Sequence, residues 1–324
     1  MHGMARTTIR RALKALAREN EIVAVPRHGY RVVARANDPG KGCPLAYVLS
    51  DPRLPAKWDA SHQVLLAALQ DVVGHKDWSL FSLYSRGTPP QEMLDRLIAN
   101  RIAGVLLDAA DPEFSKLMKQ AGIPAVMLDS WEESAGLDTI LQDGHQGGMS
   151  AVQYLAGRGH RTITWFGPVE ETAHRLSRFG GVAAGCLSAG LDLSRLVRVE
   201  ASGAEALQKA RDMLSRPDRP RAVLALWSNL AVAMARAAAE QGLVPGKDLD
   251  LVGWTVEELF ESQYAPSFSG WAVPPTIVWS AASMAEIAVT RLMERRERPD
   301  APVMKIEMPV SLRLPDGWNA PANT

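Results

Sequence analysis

The sequence predicts an α/β protein of parallel sheets with helices on both faces, preceded by a small basic module. At 324 residues it is long enough for two lobes. Three observations carry that expectation. After residue 44, short apolar runs alternate with amphipathic segments, the rhythm of strand–helix–strand crossovers. The runs are continuous rather than alternating, as in strands buried on both faces. The first 41 residues hold nine lysines and arginines against three acids, although the whole chain has zero formal charge.

Near the N-terminus, Ile9, Ala12, Leu13, Ala15 and Leu16 recur at helical spacing. They leave Arg6, Thr7, Arg10, Arg11, Lys14 and Arg18 on or near the other face. Thr7 and Thr8 can cap the helix or bond a phosphate or base edge, and an arginine at that end can pair bidentately with guanine. Next, EIVAV and YRVVA read as two β-branched strands joined by PRHG, whose Gly29 permits a tight turn with Arg27 and His28 at its tip. A solvated basic helix packed on a hairpin would carry the same charge; the order of helix, hairpin and basic tip favours DNA.

In ARTTIRRALKAL and PRHGYRV the segment resembles the GntR family of winged-helix repressors. The resemblance implies that Arg6, Thr7, Thr8 and Arg10 read a major groove while Arg27, His28 and Gly29 form the wing contact. The family's first two helices belong upstream, where only MHG stands. The expectation is therefore a partial winged helix-turn-helix over 1–36, with its recognition helix at 6–18 and its wing at 21–34.

A polar, Gly/Pro-broken linker at 37–44 leads into the alternating region. Strands are expected at 45–50, 78–84, 103–108, 124–129, 162–167, 196–201, 222–228 and 249–254. Helices are expected at 59–73, 91–99, 114–121, 147–158, 178–189, 204–215 and 230–241. Parallel sheets bind ligands at the carboxyl ends of their strands. That rule selects Ser50, Asp51, Asp108, Asp129, Ser130, Gly167, Ser228, Asn229, Trp254 and Thr255.

Several of these residues lie in stretches that resemble the effector domain of the LacI/GalR regulators. These are IAGVLLD, GIPAVMLDS, DGHQGGMSAVQYLAGRGHRTITWFGP, RLSRFGGVAAGCLSAGL and AVLALWSNLAVAMARAAAEQGLVPGKDLDLVGW. The likeness covers about residues 45 to 315, and D-x-x-x-G-G followed by G-H-R-x-I is its most specific part. It implies a type I periplasmic-binding-protein-like fold: two Rossmann-like lobes, three crossovers and a ligand cleft between them. Lobe 1 is expected at about 45–143 and 275–296, lobe 2 at about 144–274 and 300–315, and a tail at 316–324.

The same resemblance places Arg178, two residues before a Gly-Gly pair, in the cleft, where a planar five-donor guanidinium suits a bidentate clamp. A surface arginine is the plainer alternative. Asp143 could bond ligand hydroxyls or cap the following helix, and Asp51, Asp129 and Ser130 could bind ligand or form turns. His160 and Arg161 are expected to fix a turn, and His145 to lie on a solvent-side helix face. The chain departs from the LacI/GalR pattern at Trp227-Ser228-Asn229 and at Gly253-Trp254-Thr255-Val256, where a ligand carboxylate is common. Nine tryptophans include Trp58, Trp131, Trp227, Trp254 and Trp271 at expected strand-end loops. Such rings stack on sugars, or else anchor a core or a lid. The ligand set expected is Asp51, Asp129, Ser130, Asp143, Arg178, Trp227, Asn229 and Trp254.

No G-x-G-x-x-G follows the first strand, and there is no P-loop, G-x-S-x-G or metal-spaced His/Cys cluster, so no enzyme, cofactor or metal is expected. Two distant cysteines suggest no disulfide framework, and no apolar run approaches a membrane span, so a soluble cytoplasmic protein is expected. The function expected is a ligand-responsive repressor of carbohydrate genes with operator DNA, a sugar effector and a second copy as partners. The resemblance implies a dimer through helices 59–73 and 279–294, the latter through Ala282, Ala285, Ala288 and Val289, a helically spaced stripe that could equally be core. The alternative is a sugar-sensing protein whose incomplete winged helix no longer binds DNA.

Overall fold

A computed structural model describes residues 12–13, 15, 22–25, 29–32, 43–49, 60–85, 87–108, 111–130, 136–168 and 173–315. Ala12, Leu13 and Ala15 are helical, and β1 (Ile22–Val25) pairs antiparallel with β2 (Gly29–Val32), Val25 facing Gly29. The expected DNA contacts Arg6, Thr7, Thr8, Arg10, Arg27 and His28 lie outside the described residues, as do Asp51, Trp58 and Trp131.

The first lobe is built on β3 (Pro44–Leu49), β4 (Ser79–Tyr84), β5 (Gly104–Asp108), β6 (Ala125–Leu128), β7 (Asp138–Gln142) and β13 (Lys305–Met308). Their order is β13-β7-β6-β5-β3-β4, with every pair parallel. Successive side chains of a strand point to opposite faces. Ala46 and Val48 accordingly join Met93, Leu97, Phe114 and Met118, from α2 (Pro90–Ala99) and α3 (Pro112–Gln120), in one buried cluster. Leu45, Tyr47 and Leu49 join a second cluster with Leu65, Leu69, Ala285, Ala288 and Val289, from α1 (Ala60–Gly74) and α8 (Ala281–Glu297).

The second lobe has β8 (Ile163–Phe166), β9 (Leu196–Val199), β10 (Ala222–Ala225), β11 (Asp250–Val256), β12 (Thr276–Trp279) and β14 (Ser311–Arg313). Their order is β14-β12-β11-β10-β8-β9, parallel except where β14 runs against β12. Helices α4 (Gly144–Gly157) and α5 (Ala173–Ser188) pack on one another, as do α6 (Ala206–Leu214) and α7 (Ser228–Glu240). The α4–α5 approach requires glycine: a Cβ on Gly181 would stand 2.0 Å from the His145 carbonyl oxygen.

The chain passes between the sheets after Gln142, after Trp279 and after Met308. The second and third passages fall later than the sequence suggested. Strand β12 stays in the second sheet beside β11, so the return is at Ser280 and not near Pro274; β13 belongs to the first sheet, so the last crossing follows Met308. Residues 276–279 and 305–308 thus exchange lobes relative to the expected boundaries. At the Ser280 passage, Glu258 from the second lobe accepts hydrogen bonds from Ser280 Oγ at 2.9 Å and from the amides of Ala281 and Ala282 at 3.1 and 2.9 Å.

At the opposite end of the first sheet, Asp138 begins β7 fully buried. It accepts from Arg291 Nη2 at 2.9 Å, from Arg295 Nε at 2.7 Å and from the Met304 amide at 2.8 Å. This pins α8 to β7 and β13. Of the stripe expected at a dimer interface, Ala285, Ala288 and Val289 have no exposed surface and are core packed on the sheet, while Ala282 is exposed. No helix among the described residues is long and apolar enough to cross a membrane.

Candidate functional site

The carboxyl ends of the two sheets meet at Gln142, the last residue of β7. Its buried carboxamide is engaged on both sides. Nε2 donates to the two oxygens of Asp129 at 3.0 and 2.9 Å, while Oε1 accepts from Arg178 Nη2 at 2.7 Å and from Trp254 Nε1 at 2.8 Å. Asp129 belongs to the first lobe, Arg178 and Trp254 to the second.

Asp129 directly follows β6 at φ 44°, a left-handed conformation that aspartate adopts more readily than most residues. Burial pushes its pKa up to about 6. Arg178, the Gln142 hydrogen bonds and His62 act against that rise, and Asp108 adds to it. Asp108 ends β5; it accepts from Tyr47 Oη, and His62 Nδ1 lies 2.7 Å from its carboxylate.

Arg178 sits within α5 at 3 % exposure, so the plainer reading as a surface arginine fails. Nη1 donates to the Leu226 carbonyl at 2.8 Å, and the guanidinium carbon lies 4.0 Å from the centre of the Trp254 ring, a cation–π contact. Burial draws its pKa down to about 10, against the pull of Asp129, and leaves it charged at neutral pH. Two buried polar atoms at this junction, Arg178 Nε and Ser130 Oγ, have no hydrogen-bond partner among the described residues.

The Asp-x-x-x-Gly-Gly run makes room for this arrangement. A Cβ on Gly147 would stand 2.3 Å from Trp254 Cη2, and one on Gly148 would stand 2.4 Å from the Arg178 carbonyl oxygen. Asp143 caps α4: its Oδ1 accepts from the Gln146 amide at 2.8 Å, which satisfies one of the orphan donors of the first turn.

The other expected residues divide. Trp227 is half-buried at the start of α7 under the Arg175 guanidinium, 4.7 Å away, while Asn229 is exposed in the first turn of that helix. Trp254 is not in a loop; it lies within β11 at 2 % exposure. Trp271 is buried and donates to the Leu243 carbonyl at 3.2 Å, a core anchor. His160 lies 2.6 Å from Asp250 beside Arg158, which donates to the same oxygen at 2.9 Å, so the Gly-Arg-Gly-His run fixes the turn into β8. His145 is exposed. Sequence reasoning omitted Gln142, His62 and Tyr47 from the site; Asp108 was visible only as a strand end.

The arrangement sets an acceptor edge on one lobe, Asp129 and Asp108, against a donor edge on the other, Arg178. A hydroxyl both donates and accepts, so it can satisfy both edges at once. These features define a two-lobed α/β fold in which strands from both lobes end at one polar junction, the place where such sheets bind ligands.

The periplasmic binding protein-like domain family matches residues 152–314, half of the chain. The chain belongs to that family. The ribose operon repressor of Escherichia coli K12 is 28 % identical over 227 residues, 66 % of this chain and 64 % of that protein. The match thus spans less than two thirds of the repressor's length. Among solved structures, a LacI-family transcriptional regulator from Enterococcus faecium with bound ribose superposes with a TM-score of 0.69 at 17 % identity, covering 83 % of this chain and 97 % of its own. The transcriptional regulator CelR in complex with cellobiose gives 0.69 at 18 %, covering 97 % and 91 %. The body therefore has the fold of LacI-family effector domains.

Proposed function

We propose that this chain is a cytoplasmic, ligand-responsive transcriptional repressor of carbohydrate-utilisation genes, with a neutral sugar as effector. The observation that carries the reading is Arg178, buried at the junction of the lobes opposite Asp129, with its Nε still unpartnered. The ribose repressor and the ribose- and cellobiose-bound regulators support the same class of effector. Asp129, Ser130 and Arg178 form the core of the ligand set, with Trp227 at its margin; Asp143 serves the helix start.

The output end is a GntR-like winged helix within residues 1–36, to which the helical residues 12, 13 and 15 and the β1–β2 hairpin lend support. Two copies joined through α1 and the edge strand β4, whose Phe81 is 47 % exposed, would present two such modules to a near-palindromic operator. Effector binding changes the lobe angle and so the spacing of the modules; a coupling of about 1–3 kcal/mol changes affinity about 5- to 150-fold.

Thermal unfolding of the full chain with D-ribose, cellobiose, nucleobases and amino acids tests the effector class. A neutral sugar should give the largest stabilisation, and stabilisation by nucleobases or amino acids alone would falsify the sugar reading. Binding to operator DNA should weaken steeply between low and moderate salt, as phosphate contacts require. A chain that binds sugar but no DNA under any salt would be a sensor without reading function.

A further inference from the structure

We propose that Gln142 is the positioning residue of the cleft. By donating to both Asp129 oxygens while accepting from Arg178 and Trp254, it locks the acid of one lobe and the guanidinium of the other in register. The cleft then favours a neutral polyhydroxyl group over an anion. The inference rests on the sugar-binding reading for the identity of the ligand, but not for the role of Gln142.

A carboxamide offers two donors and an acceptor oxygen with two lone pairs. Here both lone pairs are taken, one by a charged donor, and the amide nitrogen donates across both oxygens of one carboxylate. Gln142 is also the last residue before the first passage between lobes, so the backbone of that passage and the polar lock coincide. The charged and titratable groups around Asp129 are Asp108 from β5, His62 from α1 and Arg178 from α5, with Arg175 on the same helix as Arg178. Without the amide, two acids of the first lobe would stand together with only Arg178 and His62 to offset them. With it, Asp129 stays an acceptor and Arg178 a donor, side by side. A ligand carboxylate would meet Asp129 and Asp108 as well as Arg178, whereas a hydroxyl meets a matching partner on each edge.

Thermal unfolding of the full chain at pH 5 and pH 8 tests the role without any ligand. Gln142→Met keeps the length of the side chain and removes its donors, so its melting temperature should fall by several degrees more at pH 8 than at pH 5. Gln142→Glu keeps acceptors for Arg178 and Trp254 and sets a second carboxylate against Asp129. Its excess loss at pH 8 should be larger still, and should vanish in the Gln142→Glu, Asp129→Asn double variant. Equal losses at the two pH values, or an excess that Asp129→Asn leaves in place, overturn the proposal. Should Gln142→Met fail to fold, Gln142→Glu at pH 5, where the two acids can share a proton, keeps the comparison. D-ribose and D-ribonate then probe selectivity: the wild type should be stabilised by the first and not by the second, and Gln142→Met should narrow that difference. A preference that survives Gln142→Met unchanged also overturns the proposal. If no neutral sugar stabilises the wild type, the sugar reading fails while the ligand-free pH comparison still decides the role of Gln142.

Discussion

Asp129 works against the stability of the ligand-free protein at neutral pH. Its pKa is near 6 in the fold and 3.8 at its ordinary value, so between those limits the folded state binds more protons than the unfolded one. Stability from this group is fully present below about pH 4 and is lost as pH rises through about 6. Asp129→Asn removes the penalty, and asparagine also tolerates the φ of 44°. The variant should gain about 1–2 kcal/mol at pH 8, after allowing for the part of the carboxylate open to solvent, and nothing near pH 4. Denaturant melts at the two pH values check this; a gain that is the same at both would remove the burial argument. Sugar binding by the variant should weaken even as its stability rises, the pattern expected where a group is kept for function at a cost to the fold.

Asp138 shows the opposite balance at the scale of elements. Removing it leaves Arg291 and Arg295 without their shared carboxylate under α8, and losing one side of a buried ion cluster costs about 3–5 kcal/mol. Asp138→Ala should lower the urea midpoint accordingly, with sugar affinity at a given folded fraction unchanged, because the cluster lies at the far end of β7 from Gln142. The strands most legible in the sequence were the continuous apolar runs, and β3, β5, β6, β8 and β10 fall within a residue or a few of their expected bounds. Strand β7 was missed because DTILQ begins and ends with polar residues, each held by a partner distant in sequence, Arg291 for Asp138 and Arg178 for Gln142. β13 and β14, KIEM and SLR, are short and half polar, since edge positions ask for no continuous apolar run. The Gly-Gly run and Arg178 were readable as motifs. That Trp254 would fill the space left by Gly147 was not, because the two are brought together only by the packing of α4 on the second sheet.

At the scale of the molecule, the two lobes meet in polar contacts at Gln142 and at the Ser280 passage and are joined by three connecting segments, so a ligand held between them would couple its occupancy to the lobe angle. The Ser280 passage supplies a way to watch it. The carboxylate of Glu258 belongs to one lobe and the amides of Ala281 and Ala282 to the first turn of a helix that packs in the other. When the lobes part there, both amides lose their acceptor in the same instant. Positions 281 and 282 should then show the same opening free energy in deuterium exchange, and saturating sugar should raise both by the same amount. Uptake at the two positions that is independent, or blind to sugar, would show that the passage stays shut while the lobes move. Two adjacent amide protons would otherwise be a gauge built into the chain, reading how much of the time the cleft stands open.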